Sequence, residues 1–150
     1  MEKATFAAGC FWGIEEAFRK IKGVKKTTVG YMGGTFENPN YEDVCTGMTG
    51  HAEVVEIEYD PGLVSYEDLL NKFWDMHDPT QVNRQGVDVG SQYRSIIFYY
   101  DEKQKKIAEK SKHILAESKK FKKPIATEIK EAETFYKAEE YHQKYFEKNK

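Results

Sequence analysis

The spacing of apolar residues switches repeatedly between period 2 and period 3.6, which predicts strands and helices in mixed order. Thr5–Ala8 reads as a short strand running into Gly9, after which Ile14, Ala17, Phe18 and Ile21 mark the apolar stripe of a helix that stops at Gly23. Thr27–Tyr31 is strand-like and breaks at Gly33-Gly34. Asn38-Pro39 then opens a loop-rich stretch able to start a helical turn through Cys45. From Glu53 to Tyr59 the chain alternates, with Glu53, Val55, Ile57 and Tyr59 on one face and Val54, Glu56 and Glu58 on the other. Ser65 with Asp68 forms a capping-box start for a helix carrying Leu69, Leu70, Phe73 and Met76. Tyr93–Tyr100 is a strand rich in aromatic and β-branched residues. A helix with Ile107, Ile114, Leu115 and Phe121 follows and ends before Pro124. A strand near Ile125–Ile129 and a helix carrying Ala138, Tyr141 and Tyr145 complete the pattern.

That order predicts an α+β fold: a ferredoxin-like split β-α-β two-layer sandwich with a C-terminal helix-strand-helix extension. No repeat, linker or low-complexity stretch divides the 150 residues, so a single domain over 1–150 is expected. With 39% hydrophobic and 32% charged residues and a net charge of −2, the chain has the composition of a globular domain, not of a nucleic-acid or anionic-membrane binder. The lysine clusters at Lys103–Lys106 and Lys119–Lys123 alternate with apolar residues at helical spacing and read as solvated helix faces. No apolar run is long enough to span a membrane. Two cysteines are too few for a secreted disulfide scaffold, and the expected location is the reducing cytoplasm. Ala7-Ala8-Gly9-Cys10 has the form of a lipoprotein cleavage site, but the apolar run before it is too short for a signal peptide.

Cys10 lies between a strand and the first turn of a helix, where partial positive charge and free N–H groups favour a thiolate. A small buried core cysteine fits that position equally well. Phe11 and Trp12 follow at once, ahead of the core stripe, and could wall a pocket for a small apolar group or simply pack the helix start. Glu53 shares an apolar strand face with Val55 and Ile57, and a carboxyl buried there would hold its proton near neutral pH. It also stands close enough to the strand start to reach solvent. Tyr41 and Cys45 are four apart and share one face of a helical turn, while Tyr93 would point to the same side as Ser95 at the start of its strand.

The string Gly9-Cys10-Phe11-Trp12-Gly13 resembles the signature of the A-type peptide methionine sulfoxide reductases. It is joined by Gly50-His51-Ala52-Glu53, by His77-Asp78-Pro79-Thr80-Gln81, by Asn83-Arg84-Gln85-Gly86-Val87-Asp88, by Ser91-Gln92-Tyr93-Arg94-Ser95 and by Ala138-Glu139-Glu140-Tyr141-His142-Gln143. The match runs in order through nearly the whole chain. The resemblance implies an enzyme in which Cys10 attacks the sulfur of a methionine S-sulfoxide and is left as a sulfenic acid. Glu53 would protonate the departing oxygen, with Tyr41 and Tyr93 donating hydrogen bonds to it. The substrate methyl would lie against Phe11 and Trp12, and Asp88 would position the substrate backbone. The substrate would be free methionine sulfoxide or oxidised proteins, and the reductant thioredoxin, glutaredoxin or a small thiol. Neither cofactor nor metal is implied, and a monomer is expected.

Many members carry resolving cysteines in a C-terminal tail, whereas Lys148-Asn149-Lys150 contains none. Cys45 is the internal alternative, as a resolving thiol or as a buried, inert one. If it is inert, an external thiol reduces Cys10 directly. Other classes compete with this reading. A cysteine hydrolase or thiol peroxidase would need a base such as His51, which alternation points away from Glu53. A peptide-binding module would need no thiol.

Overall fold

The structure is a computed structural model and describes residues 1–149, so Lys150, the last residue of the cysteine-free end, lies outside it. Its centre is a sheet built from β1 (Glu2–Ala8), β2 (Val24–Met32), β3 (Ala52–Tyr59), β6 (Ser95–Tyr99), β7 (Glu128–Glu131) and β8 (Tyr136–Lys137), in the order β7-β6-β1-β3-β2-β8. Every neighbouring pair is antiparallel except β6 with β7. Among the described residues five helices accompany it: α1 (Phe11–Arg19), α2 (Tyr41–Cys45), α3 (Tyr66–Asp75), α4 (Glu102–Glu117) and α5 (Tyr145–Lys148). The protein is therefore a mixed α+β fold on a mostly antiparallel sheet. Among the described residues, no helix is long and apolar enough to cross a membrane.

The larger core lies under α1 and α3. Phe6 of β1 stacks on Phe18 of α1 at 5.3 Å and lies 5.2 Å from Phe73 of α3, and all three are fully buried. Truncating one such ring to alanine removes about 3–5 kcal/mol. The opposite face of the sheet has its own smaller cluster of Ala7, Met32, Ala52, Val54, Ile96 and Phe98, covered by Ala132 and Phe135. At this end of the sheet both faces of the central strands are dry, so Val54 is as buried as Val55, while Lys3, Lys26, Glu56 and Glu58 carry the rest of the second face to solvent. The helices begin where local chemistry starts them. Ser65 and Asp68 form a reciprocal capping box at α3, and Asn40 with Asp43 does the same at α2.

Several boundaries differ from the sequence expectation. Tyr93 is not in a strand: Ser91–Tyr93 is a 3-10 turn after Gly90, whose φ of 143° sends the backbone away from the ladder before β6 begins at Ser95. Phe121 lies beyond α4, because Lys119 adopts a left-handed φ of 57° after Ser118 and ends the helix. The strand expected at 125–129 is displaced to Glu128–Glu131. A small hairpin, β4 (Arg84–Gln85) with β5 (Asp88–Val89), forms where only loop was expected.

The last segment departs most. Ala138, Tyr141 and Tyr145 do not share one helix. Tyr136–Lys137 extends the sheet as β8, Glu140–His142 is a 3-10 turn, and α5 starts only at Tyr145. The reason is the open edge of β2. Gln143 accepts a hydrogen bond from the Val29 N–H and donates to the Val29 and Ala138 carbonyls, acting as a one-residue strand that a helix could not supply. Lys144, with φ of 52°, then turns the chain, and its N–H donates to the buried carboxylate of Glu15.

Candidate active site

Five segments converge at the start of α1: β3, the β4–β5 hairpin, α2, the Ser91–Tyr93 turn and the C-terminal segment. Cys10 is the N-cap residue of that helix, with extended backbone (φ −62°, ψ 124°), and Gly9 before it has φ of 98°. A side chain at Gly9 would be strained by that φ and would also meet Gln85 of the β4–β5 hairpin at 2.9 Å. This close approach brings the hairpin, and with it Asp88, up to the thiol. Gln85 pins the hairpin from the other side, accepting from the Asp78 N–H and donating to the Asp78 carbonyl.

Glu53 sits at the start of β3, only 1% exposed and paired in register with Tyr31 of β2. One carboxyl oxygen accepts the N–H of Phe11, the first residue of α1, at 3.1 Å. The other is buried without a hydrogen-bond partner among the described residues. The free N–H of the helix start therefore holds a carboxyl beside Cys10 instead of capping a thiolate. Burial pushes the Glu53 carboxyl up to about 8, against the opposing pull of the Phe11 N–H, and the nearby charge of Asp88 adds to the rise. It is a neutral acid at pH 7.

The same surroundings correct the expectation for Cys10. Burial pushes its thiol up to about 11. The backbone N–H groups of Trp12 and Gly13 pull it down without forming a geometric cap bond to the sulfur, and the charges of Glu53 and Asp88 raise it again. Desolvation and two acidic neighbours thus outweigh the pull of the helix end and favour the thiol form.

Tyr41, Cys45 and Tyr93 form a second group at the site. The Tyr41 hydroxyl lies near the Cys45 thiol and the Tyr93 hydroxyl, and burial raises both phenols, Tyr93 to about 12. Glu53 is close enough to both Tyr93 and Cys45 for its charge to raise them. Both cysteines are free thiols, Cys10 partly buried and Cys45 exposed, so the expectation of a buried Cys45 does not hold. Phe11 is fully buried against Tyr31 (ring centroids 5.7 Å apart), whereas Trp12 is only half-buried. The Trp12 indole donates to His142 Nδ1 at 2.9 Å and stacks flat on Tyr145 at 3.7 Å.

A model of the peptide methionine sulfoxide reductase family matches residues 2–150 of the chain. The chain belongs to that family. A relative named peptide methionine sulfoxide reductase MsrA, from Methanothermobacter thermautotrophicus, is 64% identical over 99% of this chain and 88% of its own length. Among solved structures, the reduced form of Mxr1 from Saccharomyces cerevisiae has a TM-score of 0.92 at 38% identity, covering 99% of this chain and 85% of that one. A second Mxr1 structure, in complex with Trx2, has a TM-score of 0.68 at 26% identity, covering 96% of this chain and 84% of that one.

In this family member all the residues singled out from sequence lie in one neighbourhood, although Tyr93 arrives on a turn and Asp88 on a hairpin. His51 faces away, as alternation implied: its ring nitrogens bond to the Gly34 N–H and the Phe36 carbonyl. The residues missed come from the C-terminal segment. Glu139 accepts from the Tyr31 hydroxyl and from the Tyr41 N–H, which fixes the start of α2. His142 is 1% exposed and lies between the rings of Phe11, Trp12, Tyr41 and Tyr141. The signal available for them was the tail motif, which carries no spacing relation to Cys10.

Proposed function

We propose that this chain reduces methionine S-sulfoxide, free or in proteins, with Cys10 as nucleophile and Glu53 as acid. The observation that carries the reading is the Glu53 carboxyl: buried, protonated at pH 7, one oxygen tied to the residue after Cys10 and the other unpartnered. Sulfoxide oxygen leaves poorly until it is protonated, and a neutral acid facing the nucleophile supplies that proton. Tyr41 and Tyr93 donate to the same oxygen. The substrate methyl lies against Phe11 and Trp12, and Asp88 orients the substrate backbone.

As the Cys10 sulfur bonds to the sulfoxide sulfur, Glu53 gives its proton to the oxygen and the Cys10 thiol proton replaces it. The substrate S–O bond then breaks as its hydroxyl passes to the Cys10 sulfur and the transient S–S bond is released, so Cys10–SH and the sulfoxide become Cys10–SOH and the thioether, the cysteine sulfur losing the two electrons that methionine gains. Two routes return Cys10 to the thiol. Cys45, next to Tyr41, condenses with the sulfenic acid to release water and form a disulfide, or an external thiol attacks directly. Thioredoxin is the favoured reductant, since Mxr1 is known in complex with Trx2; glutaredoxin or a small thiol fits the direct route.

We read the chain as one cytoplasmic domain, and its centre as a ferredoxin-like split β-α-β unit. The antiparallel order β6-β1-β3-β2, with α1 and α3 as the two crossovers, supports that reading.

The test is reduction of dabsylated methionine S-sulfoxide with dithiothreitol. Cys10→Ser is expected to abolish turnover, and wild-type activity is expected to fall as pH rises through about 8 and Glu53 ionises. Undiminished turnover by the serine variant refutes the proposal.

A further inference from the structure

The helix that carries Tyr41 has little of its own to hold it in place. α2 spans five residues, too few for a helix to persist without outside support, and Val44 is its one buried side chain. The reciprocal bonds of Asn40 and Asp43 satisfy the backbone N–H groups of those two residues at its start. The N–H of Tyr41, the first helical residue, is met from outside the helix, by Glu139 Oε2 at 3.0 Å. A carboxylate at that end also favours the helix through the partial positive charge of its free N–H groups.

Glu139 is itself firmly placed. The residues before it pair with β2 as β8, the Ala138 N–H donates to the Val29 carbonyl at 3.0 Å, and the Glu139 carbonyl accepts from the His142 N–H at 2.9 Å. The second carboxyl oxygen of Glu139 accepts the hydroxyl of the buried Tyr31 at 2.9 Å. Tyr31 stands opposite Glu53 in the register of β2 and β3, and its ring lies against Phe11, whose N–H holds the Glu53 carboxyl. Glu139 therefore bridges the strand beside the acid and the helix of Tyr41. The rings of Phe11 and Tyr41 both pack on His142, at 5.1 and 4.6 Å, so the two ends of the bridge share one neighbourhood. Burial raises the Glu139 carboxyl, yet the bonds from the Tyr41 N–H, its own N–H and the Tyr31 hydroxyl outweigh burial and hold it below its ordinary value.

We propose that Glu139 is a positioning residue for sulfoxide reduction: by tying the first N–H of α2 to Tyr31, it fixes the Tyr41 hydroxyl where the departing oxygen is protonated. The inference rests on the reading of Cys10, Glu53 and Tyr41 as the reducing group and adds to it a residue that acts through Tyr41. A hydroxyl that donates to a leaving oxygen acts in the transition state, so displacing it lowers the rate of the chemical step more than the affinity for substrate. Glu139→Gln can keep both bonds, its amide oxygen accepting the Tyr41 N–H and its NH2 donating to the Tyr31 hydroxyl oxygen. Glu139→Ala keeps neither.

The experiment measures single-turnover reduction of methionine S-sulfoxide by excess enzyme for the wild type, Glu139→Ala, Glu139→Gln, Tyr41→Phe and the double variant Glu139→Ala/Tyr41→Phe. Glu139→Ala is expected to lower the saturated rate about tenfold and to change the half-saturating concentration less than about twofold. Glu139→Gln is expected to recover the rate to within about threefold of the wild type. In the Tyr41→Phe background, where no hydroxyl remains to be placed, Glu139→Ala is expected to cost less than about twofold more. Tyr31→Phe removes the other end of the bridge and carries the same test should Glu139→Ala fail to fold, with a loss of about threefold in the wild type and none in the Tyr41→Phe background. A wild-type rate in Glu139→Ala or in Tyr41→Phe, a Glu139→Gln no faster than Glu139→Ala, or losses that multiply in the double variant overturns the positioning role. Cys10-dependent reduction by the wild type leaves the Cys10–Glu53 reading standing in each of those cases, and its absence overturns both.

Discussion

Replacing Glu53 by glutamine turns a buried acid into a pH-independent group and so isolates its contribution to folding. Glu53 is 1% exposed, and its carboxyl rises from 4.5 to about 8 in the folded protein. Below about pH 4.5 the carboxyl is protonated whether the chain is folded or not, and burial carries no ionisation penalty. Between 4.5 and about 8 the unfolded chain ionises while the folded one keeps its proton. Stability is therefore lost as pH rises through that window, by about 1.4 kcal/mol per unit. The loss is about 3 kcal/mol at pH 7 and about 4 kcal/mol at pH 8. Glutamine retains the bond from the Phe11 N–H and places an amide where the second oxygen had no partner, a constant offset of about 1–3 kcal/mol. The expected result of urea unfolding is that Glu53→Gln is the less stable protein at pH 4.5 and the more stable one at pH 8. A change in the difference between the two proteins of less than about 1 kcal/mol over that range would refute the assignment of Glu53 as a neutral buried acid.

Two further outcomes are expected. After a single turnover without reductant, intact-mass analysis should find a Cys10–Cys45 disulfide in the wild type and a dimedone-reactive sulfenic acid in Cys45→Ser; a wild type that accumulates only the dimedone adduct assigns recycling to external thiols. Gln143→Ala removes three hydrogen bonds, at 2.9, 2.9 and 3.0 Å, and leaves the buried Val29 N–H unpaired. It should cost about 2–3 kcal/mol in urea unfolding, and a loss below about 0.5 kcal/mol would mean that the C-terminal segment is held by other contacts.

Local signals were legible wherever one segment supplied both the pattern and its cause. The capping box of Ser65 and Asp68, the stripe of α1 and the alternation of β3 formed as expected, because each depends on neighbours a few residues away. Glu53 stood out for the same reason, as a carboxyl on an apolar face. Where the chain depends on a distant partner the pattern misled. The residues carrying Ala138, Tyr141 and Tyr145 have helical spacing, yet the unpaired edge of β2 holds them extended through Gln143. Tyr93 has strand-like neighbours, yet Gly90 turns the backbone before the ladder begins.

The order of the six central elements (β1, α1, β2, β3, α3 and β6), the cysteine at a helix start and the carboxyl on the apolar side of a strand were determined by the sequence alone, since covalent neighbours and the two side-chain periods settle them. Tertiary structure decided the protonation of the pair. The strand carrying Glu53 delivers its carboxyl to the Phe11 N–H, and the resulting desolvation keeps both acid and thiol neutral. Tertiary structure also brought Glu139, His142 and Tyr145 back across the sheet to the Cys10 helix. Ionisation and long-range contact both depend on what surrounds a group in space, and a linear chain does not contain that information until it folds.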